Sequence, residues 1–280
     1  MLRLPLHSIC LPVILLCLAY AVNGQRIAIL APDETEANNK FAELLEPHLS
    51  DEFTILDSSM SRAAYSSVEA ASPFNMTAEQ AAAMGKVIGC DLYILLRSAT
   101  MRRSAFGRAE YYEAFAAAYV VSARTGRLVL WKLRSFEAGK PADAEQLLHA
   151  DILLFAGEIT AAIRSAAKTE LAEADPPMEE PPDEGSLGAK GFRSPVPYRR
   201  IKPEYTTAAA LYDVTATVEI LVDLDASGTV LRTLIVRWAG YGLDESVERT
   251  VRKMNWRPAE RNGKTLPMRF LLRYNFKKAD

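Results

Sequence analysis

The sequence predicts an α+β chain. An N-terminal α/β domain of two or three layers over residues 26–168 leads through an acidic, proline-rich linker over 169–196 to a small domain of antiparallel sheet and helix over 197–280. Three observations predict it. The 280 residues, at roughly 150 per domain, favour two domains, and 49% hydrophobic with 24% charged residues excludes a wholly disordered chain. Apolar spacing switches repeatedly between the helical period of about 3.6 and the two-residue period of a strand. Charge is divided along the chain: residues 26–168 carry 15 basic and 18 acidic side chains, 170–184 none and seven, and 192–280 carry 16 and ten. The surplus in that last region, 16 − 10 = +6, can meet an acidic partner but is too small to mark a nucleic-acid binder.

The opening MLRLPLHSICLPVILLCLAYAVNGQ has a positive start at Arg3, an apolar run from Ile9 to Leu18 and a small-x-small site at Ala19-Tyr20-Ala21. That is the pattern of a secretory signal peptide over residues 1–22. The alternative is an uncleaved anchor attaching the protein to a membrane, since Leu4 to Val22 approaches the ~20 residues a span needs. Either way the expected location is the periplasm or cell envelope. Cys10 and Cys17 lie in this segment, so Cys90 remains as one thiol that cannot form an internal disulfide and reads as a small buried hydrophobe.

Arg26 to Ala31 reads as a first buried strand ending in a Pro32-Asp33 turn. Phe41, Leu44, Leu45 and Leu49 share a helix face, and Phe53 to Leu56 is a second short strand. Thr77 with Gln80 has the form of a capping box before a helix from about Ala78 to Ile88. A strand over Leu92 to Leu96 follows, then two hairpin arms, Arg108 to Ala123 and Leu128 to Phe136, around Thr125-Gly126. Leu148, Ile152, Phe155, Ile159 and Ile163 predict one long amphipathic helix after Pro141. The stretch from Glu170 to Pro195 has too little apolar surface to offset its ordering entropy and reads as a tether of modest reach.

The last 80 or so residues carry the clearest alternation. Val218, Ile220, Val222 and Leu224 point to one side of a strand that turns at Ala226-Ser227-Gly228 into Val230 to Val236. A helix after Gly242 places Val247, Val251 and Met254 on one face, and Met268, Phe270, Leu272, Tyr274 and Phe276 line one side of a final strand. The expected result is a three-stranded antiparallel sheet with helices against one face.

These residues resemble the C-terminal domain of TonB and its relatives. The resemblance rests on Pro203-Glu204-Tyr205, on Thr217 to Asp225 with Gly228, on Gly242-Leu243-Asp244, and on Trp256-Arg257-Pro258-Ala259 with Asn262-Gly263-Lys264. Thr206 stands where such domains commonly have proline, and Ala216 where they commonly have glycine. The resemblance implies a periplasmic domain of a Gram-negative bacterium that adds a strand from an outer-membrane receptor or other envelope protein to its sheet, in energy-dependent transmembrane transport. An unpaired edge strand offers backbone donors and acceptors to an extended peptide. The candidate edge is Met268 to Phe276, with Arg269, Leu271, Arg273 and Asn275 as the partner-binding residues on its non-apolar side. Arg269 and Arg273 either steer an acidic segment or form a solvated face that guards the edge.

The stretch from Ala83 to Leu92, with Tyr119 to Trp131 around Thr125-Gly126, resembles envelope domains of the CsgG, LpoB and TolB N-terminal type. That resemblance implies a non-catalytic assembly module, and hence the alternative of a periplasmic scaffold factor that binds through residues 26–168.

No enzymatic constellation is legible. Beyond the leader, His48 and His149 are far apart, the one cysteine and two histidines there make no zinc-spaced cluster, and Gly85-Lys86 lacks the remainder of a phosphate loop. Asp33 and Glu34 follow the first strand, where α/β proteins often place ligands, though a turn and an acidic helix start explain them as well. Tyr111, Phe115 and Tyr119 would share one strand face, as a ligand platform or as ordinary packing, with Tyr112 on the other. No cofactor, metal or nucleic acid is expected.

Overall fold

Alternation along one alanine-rich strand decides the architecture. In the computed structural model, which describes residues 24–68, 72–105, 107–172 and 176–278, Ala114, Ala116, Ala118 and Val120 face one core while Ala117, Tyr119 and Val121 face another. The N-terminal elements are β1 (Arg26–Leu30), α1 (Glu36–Ser50), β2 (Thr54–Ile55), α2 (Ser58–Ser66), α3 (Ala78–Ile88), β3 (Leu92–Ala105), β4 (Arg108–Ser122), β5 (Leu128–Ala138), α4 (Pro141–Ala150) and α5 (Ile152–Ala172). They form a five-stranded sheet in the order β2-β1-β3-β4-β5, parallel across its first three strands and antiparallel from β3 onward. The proposed signal segment, residues 1–22, lies outside the described residues.

One face of this sheet is covered by α1, α4 and α5, through Phe41, Leu45, Leu148, Phe155, Ile159 and Ile163. Small alanines on β4 let α4 approach closely. The predicted capping box of α3 is present, with Thr77 and Gln80 each accepting from the other's backbone N–H.

Three local readings differ from the structure. The long helix is two helices bent by 45° at Asp151, whose carboxylate accepts from Arg134 Nε on β5 at 2.7 Å. β3 runs past Leu96 because the charges that read as loop find partners: Arg97 pairs with Asp33 at 3.4 Å and Arg103 with Glu113 at 2.6 Å. Helix α2 has no apolar stripe long enough to announce it; Asp57 caps it by accepting from the N–H groups of Ser59 and Met60. Among the described residues no single helix is long and apolar enough to cross a membrane.

The C-terminal elements are β6 (Phe192–Arg193), β7 (Val196–Pro197), α6 (Thr207–Leu211), β8 (Ala216–Leu224), β9 (Val230–Arg237), α7 (Leu243–Lys253), β10 (Trp256–Arg257), β11 (Ala259–Arg261), β12 (Lys264–Leu266) and β13 (Met268–Phe276). The main sheet has the order β13-β8-β9, fully antiparallel, and α7 lays Val247 and Val251 against it.

The second face of the N-terminal sheet is shared among α2, α3 and this C-terminal sheet. A single buried apolar cluster runs from Tyr93, Leu95, Met84 and Tyr119 into Trp238, Tyr241, Val218 and Ile220. The aromatic run on β4 is therefore a packing surface for the chain's own second half. Phe115 meets Tyr212 at 4.8 Å and Tyr119 meets Trp238 at 5.7 Å between ring centroids, while Tyr112 packs on the opposite side of the sheet.

Polar contacts set the register of this docking. Asn75 spans the boundary, donating to the carbonyls of Thr217 (2.8 Å) and Trp238 (2.7 Å) and accepting from Thr217 N–H (3.0 Å). The Tyr212 hydroxyl donates to buried Glu113 at 2.6 Å, beside Ser135 and Arg103. Trp238 Nε1 donates to the Gly126 carbonyl at 3.1 Å. Gly126, at φ 67°, has no room for a Cβ, which would lie 1.7 Å from the Ala78 carbonyl oxygen; at Gly240, φ 72°, it would lie 2.5 Å from the Trp131 ring.

Asp244, in the motif Gly242-Leu243-Asp244, closes the turn between β9 and α7 by accepting from Ala239 N–H (2.9 Å) and Gly240 N–H (2.8 Å). Burial pushes its carboxyl up to about 7 even though those N–H groups pull the other way. The folded state thus holds this proton more tightly than an unfolded aspartate, whose pKa is about 3.9. Its contribution to stability is fullest below about pH 4 and is lost as pH rises from there towards 7. Urea denaturation at pH 4.5 and pH 7 should show a steeper loss for the wild type than for Asp244→Asn; parallel curves would refute the assignment.

Candidate partner-binding rim

Among the described residues β13 is a terminal strand of its sheet, laddered to β8 alone in an unbroken register from Met268↔Leu224 to Phe276↔Ala216. The inward residues behave as their alternation requires: Met268, Phe270 and Phe276 are buried and Leu272 and Tyr274 pack partly against the core. Phe270 meets Trp256 at 5.2 Å between rings, so β10 holds this strand from below.

The backbone parity of the rim is set by one bond. Arg269 N–H donates to the carbonyl of Glu179 at 2.8 Å, away from β8. Because N–H groups alternate sides along a regular strand, those of Leu271, Arg273 and Asn275 face the same outer edge. The four residues singled out in the sequence are thus the four whose backbone is turned outward. Among the described residues, no backbone bond is made on that edge by Leu271, Arg273 or Asn275.

Their side chains are arranged differently from the solvated face the sequence suggests. Arg269 is 8% exposed and forms a two-pronged pair with buried Asp223, Nε to Oδ1 at 2.7 Å and Nη2 to Oδ2 at 2.8 Å. Arg273 donates to Glu219 at 2.7 Å from Nε, and Arg237 of β9 approaches the other carboxylate oxygen at 3.4 Å. Asn275 Oδ1 accepts from the Thr217 hydroxyl at 2.9 Å. Leu271 alone of the four projects an apolar side chain into solvent, 49% exposed. The acids on β8 that neutralise the arginines sit directly across the ladder, and the sequence reading did not pair them. Their signal was present, since Glu219 and Asp223 share Arg273's and Arg269's period of two.

The other sequence candidates stay scattered. His48 is exposed on α1, whereas His149 is half-buried on α4 and its pKa is lowered, first by burial and then by Lys40. Asp33, in the bend after β1, makes a surface pair with Arg97, Glu34 beside it is exposed, and burial pushes the Cys90 thiol up to about 12. Among the described residues, no group of three or more histidine, cysteine or acidic side chains is placed to hold a metal ion.

Residues 201–277 match the family model described as Gram-negative bacterial TonB protein C-terminal. No curated protein matches the chain. Among solved structures, the chain is similar to the TonB C-terminal domain of Pseudomonas aeruginosa, with 19% identity over 34% of this chain and 95% of that one, at a TM-score of 0.27. It is also similar to lipoprotein GNA1162 from Neisseria meningitidis, with 13% identity over 48% of this chain and 99% of that one, at 0.33. A minor lipoprotein from Acinetobacter baumannii has 7% identity over 51% and 95%, at 0.29. The family match coincides with the strand pattern, the Gly242-Leu243-Asp244 turn and the Trp256 to Ala259 corner, and on that combined basis residues 201–277 are a C-terminal domain of the TonB family.

Proposed function

We propose that this chain is a non-enzymatic cell-envelope protein whose TonB-like domain takes an extended segment of an outer-membrane receptor or other envelope partner as an added strand along β13. The observation that carries this reading is the outer edge of β13 from Leu271 to Asn275, where successive backbone groups face away from the sheet and make no bond among the described residues. Leu271 supplies an exposed apolar contact beside that edge. The arginines act through β8: paired with Asp223 and Glu219, they keep the rim straight and leave little net charge to steer a partner.

Leu271→Pro tests it, because the substitution removes one outward N–H and leaves the ladder to β8 intact. A photo-crosslinker at position 273 of the full chain, mixed with a detergent-solubilised outer-membrane fraction, should join the chain to an outer-membrane protein. Leu271→Pro should reduce that product about tenfold, equivalent to about 1.4 kcal/mol, with an unchanged circular dichroism spectrum. Products that are equal in both, or that form from position 231 on β9 instead, would rule out strand addition here.

A second reading is favoured by the docking of the two halves. With Trp238, Asn75 and Tyr212 holding the C-terminal sheet to the N-terminal one, the rim cannot range far, which suits an assembly or scaffold factor better than an energy transducer that spans the periplasm. Membrane fractionation separates the two. A washed-off mature chain beginning near Val22 supports the scaffold role, whereas a retained N-terminal anchor supports transduction.

A further inference from the structure

The rim already has an occupant at one end. Glu179 lies in the acidic segment, and its carbonyl takes the Arg269 N–H while its carboxylate takes Arg261 Nη2 at 2.5 Å. This is the bond an added strand would make, met from the side the partner would use. The segment is tied down beyond this point as well. Phe192 and Arg193 pair with Arg261 and Glu260 of β11, the Asn262 N–H donates to the Gly191 carbonyl at 2.9 Å, and the Arg261 guanidinium lies 5.7 Å from the centre of the Phe192 ring. Val196 and Pro197 continue along β10. Met178 and Pro182, on either side of the acids Glu179 and Glu180, are half-buried. A segment whose composition predicts a free tether therefore runs along the basic domain and ends against β13.

We propose that the acidic segment around Glu179 is a built-in competitor for the β13 rim, an autoinhibitory contact that a partner strand must displace before it can pair as far as Arg269. This rests on strand addition at β13, the reading above. The physical basis is mutual exclusion: one outward N–H donates to one carbonyl, and Glu179 and an incoming strand cannot both supply that carbonyl. Charge adds selectivity to the contact. The Glu179 carboxylate pairs with Arg261, in a C-terminal region whose sequence carries a surplus of six positive charges, and so part of the hold on Glu179 weakens with salt.

Hydrogen exchange on the full chain reads the contact without any partner. The Arg269 amide should be protected in the wild type and should exchange about tenfold faster in Glu179→Lys, the equivalent of about 1.4 kcal/mol. Protection should return when a synthetic peptide of residues 174–184 is added to that variant. Raising salt should accelerate exchange in the wild type and much less in Glu179→Lys. Equal Arg269 exchange in the two proteins at low salt would overturn the proposal, even if both fold. Crosslinking from position 273 to the outer-membrane fraction supplies the second arm. A yield higher in Glu179→Lys than in wild type supports displacement, and equal, substantial yields refute the competitor while leaving strand addition standing. No crosslink in either protein would sink strand addition instead, with the exchange result still deciding whether Glu179 holds the rim.

Discussion

Replacing Trp238 with alanine is expected to destabilise the chain by about 3–5 kcal/mol, the range for deleting a fully buried aromatic side chain. Trp238 is 0% exposed and sits where the two sheets meet, against Tyr119 and with its Nε1 on the Gly126 carbonyl. Its loss removes apolar contact from both halves at once and leaves the Gly126 carbonyl without its donor. The effect should therefore reach beyond the size of the hole. Because one apolar cluster crosses between the halves, the wild type should melt in a single transition, and Trp238→Ala should divide it, with the C-terminal sheet melting first. Calorimetry and urea titration followed by tryptophan fluorescence would show this. A loss under about 1 kcal/mol with one unbroken transition would mean that the halves do not depend on each other.

Arg269→Ala is expected to cost a similar amount, about 3–5 kcal/mol, for a different reason. The substitution strands Asp223, 3% exposed in the middle of β8, without the two hydrogen bonds that make its charge tolerable there. Replacing both members by apolar residues, Arg269→Met with Asp223→Leu, should recover most of the loss, since what is costly is the uncompensated charge rather than the absent pair. The diagnostic is the comparison of single and double variants by urea denaturation. If the double variant is no more stable than Arg269→Ala, the pair is not what holds that position. The backbone N–H of residue 269 survives in each variant, and so this experiment probes the strand's anchorage separately from the rim.

Asp244 in the turn, Leu271 on the rim and Glu179 as the rim's occupant involve smaller energies. Trp238 and Arg269 keep the C-terminal sheet in place, whereas Leu271 belongs to what it presents outward.

Much of the fold was legible along the chain because alternation and helical spacing are local. The inward set Met268, Phe270, Leu272, Tyr274 and Phe276, the hairpin at Gly228, the capping box at Thr77 and the buried Cys90 all follow from a residue and its neighbours within a few positions. The same locality identified the odd-numbered residues of β13 as those turned from the core. It could not say that Arg269 would be buried, because burial depends on Asp223, 46 positions away, and on Glu179 arriving from the other side.

By itself, then, the sequence determined the apolar-patterned elements apart from the extent of β3 and the break between α4 and α5, together with their apolar faces, the acidic interruption and the TonB-like pattern of residues 201–277. Only the tertiary structure decided that the aromatic face of β4 would be covered by the chain's second half, that Asn75 would span the boundary, and that the acidic segment would lie along β11 and touch β13. The physical reason is range. Periodicity reports how one element divides its own surface between water and core, whereas the identity of what covers the apolar side depends on shape and hydrogen-bond complementarity between segments about a hundred residues apart, as between Tyr212 and Glu113 at one end and Trp238 and Gly126 at the other.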